Sequence, residues 1–409
     1  MKQDNFYITT PIYYPSGDPH MGHAYSSILA DVFARMMRNN NSNVFFLTGT
    51  DEHGLKIQKA AERSGLKPLE FCDKLSKTFK DLTKTLNLSN NDFIRTTEPR
   101  HYKAVEEVWN RLVNSGDIYL SKYEGWYSVS DEAYYNENEV IEKNGKKFST
   151  FSNSQVEWVE EESFFFKLSS WEKKLLEFYD KNKKFILPPS RRNEVINFVK
   201  SGLKDLSVSR TSFTWGIKVP NYSNHVIYVW LDALTNYLSA LNFPNTEDKL
   251  YKSFWPASLH VIGKDILRFH AIYWPAFLLA AGIEPPHRVF GHGWILSGDE
   301  KMSKSKGEIL NPLEIINNYG IDELRYYLMK EVSHGSDGSI SLKSLENCIN
   351  SDLANNYGNL CQRVFSFVNN YCKNKSVIKS ENLSDADNKL LKESNSLTTN
   401  LRDLMNNQN

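Results

Sequence analysis

The chain opens with two apolar rhythms. Phe6 to Thr10 reads as a short buried strand, and a turn rich in Pro, Gly and Asp follows at Pro15, Gly17, Asp18 and Pro19. Ala24, Ile28, Val32 and Met36 then recur every four residues, with Leu29 and Phe33 beside them. That spacing predicts an amphipathic helix starting near Gly22. Val44 to Leu47 is a second apolar run ending in Gly49, which predicts another strand. Strand, turn, helix, strand is the opening of a parallel α/β sheet.

From about Gly116 to Pro220 the texture changes. Turn residues, scattered aromatics and charge runs (Glu160 to Glu162, Lys181 to Lys184) predict an inserted α+β domain. The α/β texture then returns, with core strands expected at Val226 to Leu231, Leu259 to Gly263 and Arg288 to Phe290. A sheet split by an insertion is the economical reading. From about Ile340 onward the pattern is helical, with Leu353, Tyr357, Leu360, Val364, Phe365 and Val368 at helical spacing. Beyond Ser376 the chain is polar and weakly patterned. No internal repeat is visible.

Composition narrows this only slightly. A chain of 409 residues with 40% hydrophobic and 13% aromatic residues can bury a substantial core in two to four domains. Lys+Arg and Asp+Glu both number 49, so bulk charge argues neither for nor against a nucleic-acid partner. The four cysteines, Cys72, Cys348, Cys361 and Cys372, form no Cys-x-x-Cys pair. A zinc knuckle is therefore not expected, and a reducing compartment is. No stretch approaches a membrane-spanning length, and the start lacks both a signal-peptide core and an Arg-rich presequence. A cytoplasmic protein without a membrane partner is the expectation.

Two elements carry candidate phosphate chemistry. His20 and His23 flank Gly22 where the first turn hands over to a helix. A helix N-terminus offers free N–H groups and partial positive charge to a phosphate. Two imidazoles there can donate to phosphate oxygens as charge builds in a transition state. Gly22 lets a nucleotide approach the backbone. Far downstream, Lys301-Met302-Ser303-Lys304-Ser305-Lys306-Gly307 is a basic loop whose lysines can reach β- and γ-phosphates. Alone, the first element could be two surface histidines and the second a solvated turn. Together they are far more specific.

The pair resembles the two signatures of class I aminoacyl-tRNA synthetases, and the surrounding residues resemble the methionyl-tRNA synthetase family. The resemblance runs from about Phe6 to Phe367. It implies a Rossmann-like parallel sheet split by an α+β insertion and followed by an α-helical anticodon-binding domain, here incomplete. The expected boundaries are 1–115 and 223–290 for the two halves of the catalytic domain. The insertion is expected at 116–222, the lysine loop and stem-contact region at 291–345, and the first anticodon-domain helices at 346–409.

The resemblance also assigns roles. Pro11, Ile12 and Tyr14 would line a methionine pocket, and Asp51 would hold the substrate ammonium. Trp230, Ala233, Leu234 and Tyr237 would form its thioether side; Ile266, His270 and Trp274 would complete the wall. A thioether is polarisable and packs well on aromatic rings. Lys264 and Asp265 would lie on the nucleotide side, with His20, Gly22, His23, Lys301 and Lys304. Asn359 and Arg363, one helical turn apart, would read anticodon bases.

The pattern departs from the family in two places. Ser128 and Asp131 stand where the insertion would carry cysteines, so no structural zinc is expected. The insertion's fold would then rest on Trp126, Tyr127, Trp158 and Phe164 to Phe166. The helical end stops at Asn409, before the expected bundle is complete, leaving Leu360, Val364 and Phe367 as an exposed apolar face. The reaction implied is methionine activation by ATP, with Mg2+ carried by the nucleotide, then transfer to tRNA(Met) by a monomer. Two rivals remain at this point: a leucine, valine or cysteine synthetase, and a non-enzymatic RNA-binding derivative.

Overall fold

The first apolar run forms strand β1 (Asn5–Thr9), and the four-residue rhythm after it forms helix α1 (Met21–Asn39). Ala24, Ile28, Leu29 and Phe33 are all buried, so α1 presents the face its periodicity predicts. Strand β2 (Asn43–Thr50) follows and is buried from Val44 onward. The computed structural model describes residues 4–131, 133–297, 300–301, 310–372 and 382–408.

A central sheet takes strands from distant parts of the chain. Besides β1 and β2 it contains β3 (Asp92–Arg95), β4 (Ile186–Leu187), β5 (Leu259–Gly263) and β6 (Val289–His292), in the order β3-β2-β1-β5-β6-β4. β1 pairs in parallel on both sides, Tyr7 with Phe45 and Ile8 with Leu259. A strand from the first fifty residues therefore sits against one that follows the insertion. Buried parallel strands need apolar residues on both faces, which is why these runs do not alternate.

The inserted segment has its own antiparallel sheet. Ile118–Ser128 pairs with Glu157–Phe166 in a continuous register from Ile118 with Phe166 to Tyr127 with Glu157. Phe164, Phe166 and Tyr127 are buried, and Trp126 meets Trp158 edge-on at 5.2 Å. The chain does not leave the central sheet for the whole of 116–222, because β4 lies inside that span and pairs with β6.

One expected strand is corrected. Val226 to Leu231 is not continuous: the strand Tyr222–Ile227 ends, and helix Val229–Leu234 begins after Tyr228. The run is buried at every position but Trp230, and an apolar run without periodicity does not distinguish a strand from a buried helix.

The chain divides into two compact units, Met1–Pro19 with Ser26–Gly291, and His20–Tyr25 with His292–Asn409. In the second unit, Ile295–Ser297 pairs antiparallel with Glu300–Lys301 and parallel with Gly338–Ile340. Helices follow from Leu342 onward, including a π-helical stretch Ile349–Gly358 and then Asn359–Cys372. On the latter, Leu360, Val364 and Phe367 are exposed. Among the described residues no helix is long and apolar enough to cross a membrane.

Candidate active site

The turn after β1 stays stitched to the end of β2. Tyr13 N donates to Gly49 O at 2.8 Å, and Asp51 N donates to Tyr13 O at 2.9 Å. Thr10 Oγ1 donates to Thr48 Oγ1 at 2.7 Å. These bonds hold Pro11, Ile12 and Tyr14 beside Asp51 at the carboxyl ends of two parallel strands, where open α/β sheets bind ligands. Asp51 is buried, whereas Pro11, Ile12 and Tyr14 are half-buried. Glu52, next along, is locked by Arg95 through bonds of 2.7 and 2.9 Å.

The aromatic wall comes from two helical segments. The short helix α2 (Val229–Leu234) carries Trp230, Ala233 and Leu234 at positions i, i+3 and i+4. Tyr237 follows on the next turn, Asn236–Ser239. Opposite them, Phe269–Tyr273 is a π-helical turn that carries His270 and leads into Trp274. Such bulges often mark functional sites, because they re-aim side chains.

Trp230 lies flat on Phe269, with centroids 3.7 Å apart. Tyr237 Oη is 2.7 Å from His270 Nε2, and its ring is 6.1 Å from Trp274. His270 Nδ1 faces the Ile266 carbonyl at 3.0 Å, so that nitrogen carries the ring hydrogen and Nε2 accepts from the tyrosine hydroxyl. Burial pushes the His270 imidazole down to about 4, so it is neutral at pH 7. Trp230 Nε1 and Trp274 Nε1 are buried without a hydrogen-bond partner among the described residues. Lys264 and Asp265 start the single turn after β5, at the same strand end.

The histidine pair sits at the start of α1. The His20 and His23 rings stack with centroids 3.7 Å apart. His20 Nδ1 accepts from Gly22 N and His23 Nδ1 accepts from His20 N, each at 3.1 Å. Both neutral rings therefore carry their hydrogen on Nε2, as donors to an anion require. Burial, and then the neighbouring His20, hold the His23 imidazole well below its usual range.

Lys304 lies outside the described residues; Lys301 is described only in its backbone, paired with Leu296. Asn359 and Arg363 are both exposed on one helix, with Asn359 Nδ2 donating to Asn355 O at 2.8 Å.

The sequence reading missed three contributors: Phe269 under Trp230, His260 stacked on Tyr237 at 4.1 Å, and the partners of Asp232. Ser128 and Asp131 meet in a hydroxyl–carboxylate cluster with Ser152 and Ser154. Among the described residues no group of three His, Cys, Asp or Glu side chains is arranged to hold a metal.

The family model for tRNA synthetases class I (M) matches residues 6–365. The chain belongs to this family, the methionyl-tRNA synthetases. It is 50% identical over 409 residues to the methionine–tRNA ligase of Brucella suis biovar 1 (strain 1330), covering 100% of this chain and 79% of that one. It is 55% identical over 368 residues to the methionine–tRNA ligase of Rickettsia typhi (strain Wilmington), covering 90% and 72%. Among solved structures, Mycobacterium tuberculosis methionyl-tRNA synthetase in complex with methionyl-adenylate matches with a TM-score of 0.97 and 46% identity, over 99% of this chain and 80% of that one. The free-state crystal structure of the same synthetase matches at a TM-score of 0.87 and 43% identity, over 99% and 77%.

Proposed function

We propose that this chain activates L-methionine with ATP and transfers it to the 3′ end of tRNA(Met) for translation. In the first step a methionine carboxylate oxygen attacks the α-phosphorus of ATP. The bond to the β-phosphate oxygen breaks, leaving methionyl-adenylate and pyrophosphate. In the second, the 2′-hydroxyl of the terminal adenosine attacks the methionyl carbonyl. AMP leaves, and the hydroxyl proton is lost to solvent. No covalent enzyme intermediate is needed, so catalysis is positioning plus charge stabilisation.

Asp51 would pair with the substrate ammonium, and Trp230, Ala233, Leu234, Tyr237, Ile266, His270 and Trp274 would enclose the thioether, with Pro11, Ile12 and Tyr14 closing the pocket. His20 and His23 would donate from Nε2 to the reacting phosphate, with Gly22 leaving room for it. Lys264 and Asp265 would face the nucleotide. Lys301 and Lys304 would hold the departing pyrophosphate, and Mg2+ arriving on ATP would neutralise its phosphate oxygens. Asn359 and Arg363 would contact the anticodon.

The observation that carries this reading is the linked wall of Trp230, Tyr237, His270 and Trp274. A neutral, mostly aromatic surface suits a polarisable sulfur. ATP–pyrophosphate exchange across amino acids tests it. Methionine should support exchange, and leucine, valine and cysteine should not. His23→Ala and Lys304→Ala should each slow exchange by about a hundredfold or more without unfolding the chain, the cost of one transition-state donor. Exchange driven by leucine, valine or cysteine would overturn the reading, as would normal rates in both variants for the roles of those residues.

A further inference from the structure

Behind the methionine-side wall lies a buried carboxylate gripped by two histidines. Asp232 Oδ2 is 2.7 Å from His53 Nδ1, and Oδ1 is 2.6 Å from His101 Nε2. All three side chains are at most 1% exposed. His101 Nδ1 is 2.9 Å from Ser239 Oγ, which itself donates to the Thr235 carbonyl. His53 Nε2 is 3.2 Å from the Tyr102 hydroxyl, which can donate to it. Burial on its own would raise the Asp232 pKa, but His53 and His101 override it and bring it down to about 2. An ionised buried carboxylate persists only when its oxygens are paired in this way.

The three partners come from three different elements. His53 belongs to the turn that carries Asp51, two residues earlier. Asp232 belongs to α2, between Trp230 and Ala233. His101 lies in the first turn of the helix Pro99–Asn114. The turn is tied down elsewhere as well: Tyr14 Oη donates to His53 O at 2.5 Å, and Trp215 Nε1 donates to Glu52 O at 2.6 Å. The helix α2 spans only six residues, Val229–Leu234, too few to hold a position unaided. Its placement must come from side-chain contacts, and its one charged side chain points into this cluster.

We propose that Asp232 is a positioning residue for substrate selection: through His53 it fixes the helix of Trp230, Ala233 and Leu234 against the turn of Asp51. The group that takes the ammonium and the wall that takes the thioether are thereby held at one separation, matched to one side-chain length. Asp232 touches no substrate. This inference rests on the methionine-activating reading above and adds to it what sets the spacing of the two ends of the pocket.

Steady-state ATP–pyrophosphate exchange on the full chain tests this, with the KM for methionine, the KM for ATP, kcat and thermal unfolding measured for the unaltered chain, D232N, H53L and H53N. An amide at position 232 keeps the shape but turns an N–H group toward a histidine N–H, breaking one charge-assisted bond. D232N should raise the methionine KM about tenfold, the equivalent of one such bond, and leave the ATP KM within about twofold. H53L should do the same. H53N keeps a donor near the position of Nδ1 and should recover most of the loss seen in H53L. A purely structural role would lower kcat or both KM values together. If D232N fails to fold, the H53L and H53N comparison decides. Exchange in the unaltered chain with an unchanged methionine KM in folded D232N or H53L overturns this inference alone. No methionine-dependent exchange in the unaltered chain overturns the activity assignment and this inference with it.

Discussion

The indole of Trp230 lies on the ring of Phe269 with 3.7 Å between centroids and only 6° between planes. The stack joins α2 to the π-helical turn that carries His270, so it braces two sides of the proposed methionine pocket. Aromatic pairs contribute roughly 0.5–1.5 kcal/mol beyond the area they bury. Phe269→Leu keeps most of the bulk and loses the stack. The methionine KM in pyrophosphate exchange should rise about three- to tenfold, with the ATP KM unchanged. Equal rises in both constants would show that the ring supports the fold and not the pocket.

Gly22 is constrained by its neighbour and not by its backbone angles. A Cβ there would stand 3.0 Å from His20 Cε1 and 3.1 Å from its Nδ1. Alanine is the better helix former by about 1 kcal/mol, so Gly22→Ala should leave the melting temperature unchanged or higher. The same methyl group pushes the His20 ring out of its stack on His23 and off the Gly22 N–H. Exchange should fall by about tenfold or more, as for a misplaced phosphate donor. Loss of rate without loss of stability is the signature, and a variant with full activity would refute the placement of His20.

The buried histidines make stability depend on pH in a definite direction. Burial lowers His270 from an ordinary imidazole value of 6.5 to about 4, and it holds His260 well below as well. Between those values the unfolded chain binds protons that the native chain refuses, so stability rises with pH there. Stability is fully present above pH 6.5 and declines as pH falls from 6.5 toward 4. His270 alone contributes about 3 kcal/mol of this change, at 1.36 kcal/mol per unit. Asp232, held down to about 2, keeps its own contribution at every pH above its unfolded value of 3.8, so it is silent in this window. Urea unfolding at pH 7.5 and 4.5 should differ accordingly, and His270→Gln should flatten the difference. Equal unfolding free energies at both values would contradict the buried neutral state.

Much of this architecture is legible in the sequence where periodicity is strong. β1, α1 and β2 follow from runs and four-residue spacings, and the histidine pair stands at the helix start where phosphate chemistry wants it. The helix of Trp230 was not legible as a helix, because every position from Val226 to Leu231 except Trp230 is buried and no face is left to reveal a period. β4 is only two residues long, and its place at the sheet edge is a fact of packing. The Asp232 cluster joins residues 179 and 131 positions apart, so no local pattern could bring them together. The pocket residues were assigned through resemblance to a family, because aromatics at helical spacing would otherwise read as ordinary core.

Gly49 supplies the sharpest test of how the strands bring Asp51 to its place. It pairs with Ile94 in the parallel register of β2 and β3. A Cβ at Gly49 would lie 2.0 Å from the Ile94 carbonyl oxygen and 2.7 Å from its Cγ2, far inside any contact distance. The obstacle is backbone, so no rotamer change relieves it; β2 must move away from β3. Overpacking of this kind costs about 1–3 kcal/mol, and more where the backbone cannot yield. Gly49→Ala should therefore lower the melting temperature by at least several degrees. The displaced strand end carries Asp51 two residues on and accepts the Tyr13 N–H, so the turn of Pro11 to Tyr14 moves with it. In whatever fraction stays folded, the methionine KM should rise while the His20 and His23 pair, at the start of α1, keeps its stacking. A Gly49→Ala chain with unchanged melting temperature and unchanged methionine KM would mean that the two strands do not approach as closely as 2.0 Å from that Cβ implies.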